Sequence, residues 1–325
     1  MNQVITHADG STTGYNDYGG PGYPCVLCHG APDCRVMDEY SVELAKQNNV
    51  RLICFDRPGY GLSSPKPGHE ISDVSIDAMA IIDALKIENF IVCGASTGGP
   101  YAFSLAVYAG PNRCTGVVVG CAMTDMRYPA ARVSMEGIVT EAYDLSHDRD
   151  LVIKLLEAKE EKKIEDEGGI WSFLMNIPIL KDNSIWQLMV LIPFLRSHGW
   201  PWIDIRALFT HEQNEEKKKA ITAFGQQGYA DDRIAGSKGW HSFDIKKIKV
   251  PCIIVHGELD VAVPIVAAHH TKSLVPHAEL RIFAERGHMS INDHIMEACS
   301  DISNYTYEQQ VEKEKEYINK MKSKL

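Results

Sequence analysis

Three residue types placed far apart in this chain have the chemistry to attack a carbonyl together. Ser96 stands between glycines in Gly94-Ala95-Ser96-Thr97-Gly98. Asp260 follows Val255-His256-Gly257-Glu258-Leu259, and His288 closes Glu285-Arg286-Gly287-His288. A serine hydroxyl is a weak nucleophile at neutral pH. It needs a base within hydrogen-bond reach, and the base needs a third group to orient it. Serine, imidazole and carboxylate supply those parts. Each residue also has a plainer use. A serine between glycines is an ordinary turn, Asp260 could cap a helix near Val261–Pro264, and His288 could be a loop histidine. Asp125, which follows another apolar run, is the alternative acid. The positions of these residues relative to the surrounding elements favour the catalytic reading.

Ser96 lies where a short apolar run, Asn89–Cys93, gives way to a helix-forming stretch, Tyr101–Tyr108. A G-x-S-x-G pattern between strand and helix predicts a sharp turn that lifts the hydroxyl clear of the backbone. The glycines leave room for a close strand–helix approach. Strand-like runs occur at Tyr23–Cys28, Arg51–Phe55, Phe90–Cys93, Thr115–Cys121, Cys252–Val255 and Glu279–Phe283. Most are apolar throughout, which suits parallel strands covered on both faces. Helical patterns at Met37–Gln47, Ile71–Leu85 and Tyr101–Ala109 alternate with them, and that alternation implies an α/β fold with right-handed crossovers. Gln3–Tyr18, with a turn signal at Asp9-Gly10, predicts an antiparallel hairpin at the sheet edge. Ser96, Asp260 and His288 then all fall just past the carboxyl ends of strands, the edge where α/β sheets place their sites.

The rhythm breaks from about Arg127 to Lys238. Helical patterns punctuated by Pro129, Pro178, Pro193 and Pro201 replace the strands, and Trp171, Trp186, Trp200, Trp202, Phe173, Phe194 and Phe209 gather there. The block is too long for a simple connection. The expected organisation is a first part of the core at 1–126, a helical cap at 127–238, and a second part of the core at 239–325. The last part ends in a Lys- and Glu-rich terminal helix, Tyr305–Leu325.

On these residues the chain resembles the α/β-hydrolase fold family over nearly its whole length. His29-Gly30-Ala31-Pro32 is similar to the family's oxyanion-loop motif. Asp56-Arg57-Pro58-Gly59-Tyr60-Gly61-Leu62-Ser63 is similar to its D-x-P-G-x-G-x-S turn, and the order Ser, Asp, His is the family's order. The resemblance implies a mostly parallel central sheet flanked by helices, with an inserted helical cap. It also implies an oxyanion hole formed by the backbone N–H groups of Thr97 and Ala31, with His29, Gly30, Gly94 and Gly98 supporting the loops. One such donor contributes on the order of 3 kcal/mol. No metal or organic cofactor is expected. Asp56 and Arg57 are expected to hold neighbouring loops together, His29 and His256 to be structural, and His269, His270 and His277 to be surface or helix residues.

Serine at the nucleophile position departs from epoxide hydrolases and haloalkane dehalogenases, which use aspartate. Ala31 and Asp33 depart from the His-Gly-Gly-Pro-Gly loop of prolyl aminopeptidases. A carboxylesterase or lactonase is the expectation, and the aromatic-rich insertion points to a small-molecule substrate with apolar surface. The alternatives are a carbon–carbon bond hydrolase, a cofactor-free perhydrolase and, from a non-enzyme class, a small-ligand receptor.

Composition narrows the setting. The chain has 325 residues, is 45% hydrophobic and 23% charged, and carries a formal charge of −10, which argues against nucleic acid as a partner. Met1–Gly10 lacks the basic start and apolar core of a signal peptide, and apolar stretches such as Leu188–Leu195 are too short to span a bilayer. Nine cysteines are an odd number for a disulfide framework, and Cys28, Cys54, Cys93, Cys121 and Cys252 fall in the strand-like runs. Buried, reduced thiols in a cytoplasmic protein are expected, and the lone Cys25-x-x-Cys28 pair is not expected to bind metal.

Overall fold

Eight strands build one sheet: β1 (Gln3–Thr6), β2 (Thr12–Asp17), β3 (Tyr23–Cys28), β4 (Val50–Phe55), β5 (Phe90–Ala95), β6 (Cys114–Gly120), β7 (Cys252–Gly257) and β8 (Glu279–Phe283). The computed structural model describes residues 2–133, 148–168, 199–204, 207 and 215–306. The spatial order is β1-β2-β4-β3-β5-β6-β7-β8. β1 pairs antiparallel with β2, and β2 with β4; every later pair is parallel. The expected edge hairpin is therefore present.

β3 is flanked by β4 on one side and by β5 on the other. The chain thus runs outward from β3 to β4, crosses back over β3, and continues the other way. A crevice forms outside the strand ends where the order reverses, and ligands of open α/β sheets bind there. The loops after β3 and β5 carry His29–Pro32 and Ser96.

The strands are apolar on both faces because helices cover both. On one face Val26, Ile53, Val92, Val117 and Val119 pack with α2 (Asp73–Ala84) and α3 (Gly98–Ala109). On the other, Leu52, Ile91 and Val118 pack with Ala45 of α1 (Glu39–Gln47) and with residues of a helix spanning 292–306, including Ile295, Cys299 and Ile302. A strand alternates faces at every residue, so Cys25 and Cys28 fall in opposite clusters and share no site. All nine cysteines are buried free thiols. Burial pushes the Cys28 thiol up to about 12.

The sequence places the strands to within a few residues. α3 starts at Gly98, three residues before the expected Tyr101, because the glycines of the turn are themselves its first helical residues. Pro100 sits in that first turn, where its missing N–H removes no intrahelical bond. Between β6 and β7 the described residues are helical or irregular. They include helices at Pro129–Val133 (α4), Arg149–Gly168 (α5), Glu215–Ile221 (α6) and Gln227–Ser237 (α7). Pro129 opens α4, a first-turn position that suits proline. α5 and α7 pack through Val152, Leu156, Ala230 and Ile234, and Arg149 pairs with Asp231 at 2.6 Å. Trp171, Trp186, Phe173, Phe194, Phe209 and the terminal stretch 307–325 lie outside the described residues. Among the described residues, no helix is long and apolar enough to cross a membrane.

Candidate active site

The turn after β5 is as sharp as the motif requires. Ser96 has φ of +55°, a left-handed conformation that a non-glycine residue adopts rarely. Backbone bonds hold it there: its N–H donates to Gly120 O at 3.0 Å, and its carbonyl accepts from Gly99 N at 3.2 Å and Met123 N at 2.9 Å. The neighbouring glycines answer a space constraint. A Cβ on Gly98 would strike the carbonyl oxygens of Cys28 and His29. On Gly94 it would lie 2.5 Å from Gly98 O and 2.8 Å from Ala102 Cβ. On Gly30 it would sit 3.5 Å from Ser96 Cβ, so the loop after β3 lies against the serine. Among the described residues, the backbone N–H groups of Ala31 and Thr97 donate to no protein acceptor.

His288 Nδ1 donates to Asp260 Oδ2 at 2.7 Å. The other oxygen, Asp260 Oδ1, accepts from Ala262 N and Val263 N, each at 2.8 Å. One carboxylate oxygen is thus fixed to backbone and the other aims at the imidazole. Burial pushes the Asp260 carboxyl up. The hydrogen bond and charge of His288 and the Val263 amide outweigh it, so the group stays below its ordinary value and ionised. Donation from Nδ1 leaves His288 Nε2 as the basic nitrogen. Among the described residues no hydrogen bond closes the gap from Ser96 Oγ to His288. Such contacts often tighten only around substrate.

The alternative acid is engaged elsewhere. Asp125 accepts from the Arg127 guanidinium at 2.5 to 3.0 Å, and from its backbone N–H at 2.9 Å. The structure brings Asp260, not Asp125, to His288. Cys121 Sγ, Asp260 and His288 place possible metal-ligand atoms within 4.8 Å of one another. Nδ1 and Oδ2 bond each other, and burial with the nearby Asp260 charge pushes the Cys121 thiol well up, away from the thiolate form that binds a metal.

The loop after β3 is held from beneath. His29 Nδ1 donates to Gly30 O at 2.6 Å, and Arg57 N–H donates to His29 Nε2 at 3.2 Å, so the ring is neutral with its proton on Nδ1. Burial first, and then the Arg57 charge, hold its pKa well below the usual value. The Arg57 guanidinium donates to His29 O, and to Gly30 O at 2.9 Å. Its other edge grips Asp232 of α7, Nε to Oδ1 at 3.0 Å and Nη2 to Oδ2 at 2.6 Å. Tyr60 and Tyr101 hydroxyls donate to the same carboxylate at 3.0 and 2.9 Å. Both ions are fully buried. Burial pushes the Asp232 carboxyl up, but the Arg57 charge and hydrogen bonds outweigh it and keep it ionised below its ordinary value. His256 is likewise internal, with Nε2 donating to Val263 O at 2.8 Å.

A second buried carboxylate reaches the site from the segment between β6 and β7. Asp204 accepts from His288 N at 2.7 Å, Met289 N at 3.2 Å, Ser290 N at 2.9 Å and Ser290 Oγ at 2.6 Å. A Cβ on Gly287 would collide with this carboxylate, which explains the glycine before the histidine. Sequence reasoning finds neither Asp204 nor Asp232, for neither belongs to a local pattern. The glycine before His288 was the one available signal of a close approach. Beside Thr97 lies a mainly apolar cavity, lined by Ile71, Pro100, Met123, Met126 and Trp240, with Asp232 and Arg233 at its polar side. Trp240 lies just beyond the 127–238 block that holds Trp171, Trp186, Trp200 and Trp202.

The sequence profile of the Alpha/beta hydrolase family matches residues 25–301. The chain is 24% identical over 295 residues to a non-heme chloroperoxidase of Streptomyces lividans, covering 90% of this chain and 94% of that protein. Among solved structures it is similar to an esterase from Exiguobacterium antarcticum, at 20% identity and TM-score 0.59, covering 94% of this chain and 99% of that one. It is also similar to the enol-lactonase of Burkholderia xenovorans LB400, at 16% identity and TM-score 0.59, covering 92% and 99%. At such identities the two structures speak for the fold.

Proposed function

The chain belongs to the alpha/beta hydrolase family, and from that premise we propose that it hydrolyses a carboxylic ester or lactone of a largely apolar small molecule through an acyl-enzyme on Ser96. Ser96 Oγ attacks the carbonyl carbon while His288 Nε2 takes its proton. Asp260 holds the Nδ1–H tautomer and opposes the charge that forms on the ring. The Ala31 and Thr97 amides receive the oxyanion. The tetrahedral adduct collapses, and the departing alkoxide takes the proton from His288. Water then attacks the acyl-enzyme by the same route, releasing the acid and restoring Ser96.

The observation that carries this reading is the 2.7 Å bond from His288 Nδ1 to Asp260 at the sheet edge that also carries a serine at φ +55°. We read 127–238 as a cap over that edge, with 1–126 and 239–325 as the two parts of the core. The aromatic-rich stretch 127–238, with the apolar Met123, Met126 and Trp240 beside Thr97, favours an apolar acyl or alcohol group.

An ester and lactone panel on the wild type beside Ser96→Ala tests it. The variant is expected to lose at least about a thousandfold in kcat, and to lose covalent labelling by a fluorophosphonate. Full activity in the alanine variant would end the assignment. The likeness to a non-heme chloroperoxidase favours one second reading, a perhydrolase in which hydrogen peroxide replaces water at the acyl-enzyme and leaves with the acyl group as a peracid. Peroxide-dependent halogenation exceeding ester turnover would select it.

A further inference from the structure

We propose that Asp204 is a positioning residue for the base, so that the geometry of His288 depends on a carboxylate supplied from between β6 and β7. The inference rests on the reading of His288 as general base. Asp204 is fully buried, and among the described residues every hydrogen-bond partner of its carboxylate lies in the histidine loop at 288–290. Oδ2 takes the backbone N–H of His288 itself, and Oδ1 takes two further amides and the Ser290 hydroxyl. Ser290 Oγ in turn accepts from Gly287 N at 2.9 Å, closing the loop on itself.

The imidazole is therefore held at two points. Asp260 fixes the ring through Nδ1, and Asp204 fixes the backbone from which the ring hangs. Together they determine where Nε2 lies. Neither anchor does so alone, because a ring tethered only at Nδ1 still swings with its loop. Asp260 follows β7 in the core, whereas Asp204 comes from the helical segment. The base is correctly placed only while that segment is docked.

Asp204→Asn tests this, because it keeps the shape and turns one acceptor into an NH2 facing backbone N–H donors. Steady-state kinetics with 4-nitrophenyl acetate, fluorophosphonate inactivation rates and the downfield proton resonance of His288 Nδ1–H are measured on the full chain. A displaced base is expected to cost about 10- to 100-fold in kcat with KM little changed. Inactivation should slow in parallel, and the resonance should broaden or vanish. Asp231→Asn, which loses only the Arg149 pair inside the segment, should keep wild-type kcat and resonance. A folded Asp204→Asn with wild-type kcat and resonance would overturn the proposal. So would an equal loss in Asp231→Asn, which would mean general loosening of the segment. If Asp204→Asn does not fold, Ser290→Ala removes one bond to Asp204 and the bond to Gly287; a several-fold loss in kcat supports the proposal and wild-type kcat overturns it. Wild-type turnover in His288→Ala would instead sink the active-site reading, an outcome separate from any result at Asp204.

Discussion

Asp260 gives its two oxygens different tasks. Oδ1 is locked by two backbone amides, so Oδ2 can point only at His288. Asp260→Asn keeps that lock only by turning its NH2 toward Nδ1–H, which favours the wrong tautomer. The expected result is a fall in kcat of about 10⁴-fold with KM nearly unchanged, measured on the best ester of the panel. Ser96, Asp260 and His288 could be picked out of the sequence as candidates because the chemistry restricts their types and because glycines mark their turns. Asp204 and Asp232 were not. Asp204 meets its loop across 84 positions and Asp232 meets Arg57 across 175, and no local periodicity encodes a contact at that range. Arg57 could be assigned to loop holding from its motif. That its second partner is a carboxylate on a distant helix could not.

α7 is joined to the core by the Arg57–Asp232 pair, and the pair joins three elements at once: α7, the loop after β3 and the turn after β4. Breaking a buried pair leaves an uncompensated charge. Asp232→Asn is therefore expected to lose about 3–5 kcal/mol in urea unfolding. The pH dependence follows from the depressed carboxyl of Asp232. A group with a lowered folded pKa contributes its stability above its unfolded value, and that contribution is lost as pH falls through the folded one. Below about pH 4 the wild type should lose stability more steeply than Asp232→Asn. At this scale the strands were easy to read, since burial on both faces leaves a continuous apolar run. The start of α3 was misplaced because Gly98 and Gly99 look like turn residues and are the first helical residues instead.

The whole molecule holds nine thiols, all buried, with several pushed to about 12 by burial. A thiol-specific disulfide reagent is expected to react with them only as fast as the core opens, and with all nine in denaturant. Rapid labelling of native protein would contradict the packing. The sheet and the edge that carries the candidate site were legible from end to end, because alternation of strands and helices constrains topology strongly. The surfaces facing substrate were not, because a helix encodes which side is apolar but not which neighbour it meets. That same segment has an evolutionary consequence. An insertion between two strands invites exchange by recombination, one cassette of helices for another. Here an incoming cassette without acids opposite Arg57 and the histidine loop would strand a guanidinium in the interior and leave the amides of 288–290 without their carboxylate. The lineage is therefore expected to diversify by drift around two fixed acids, and grafts between relatives should succeed only when both acids travel with them.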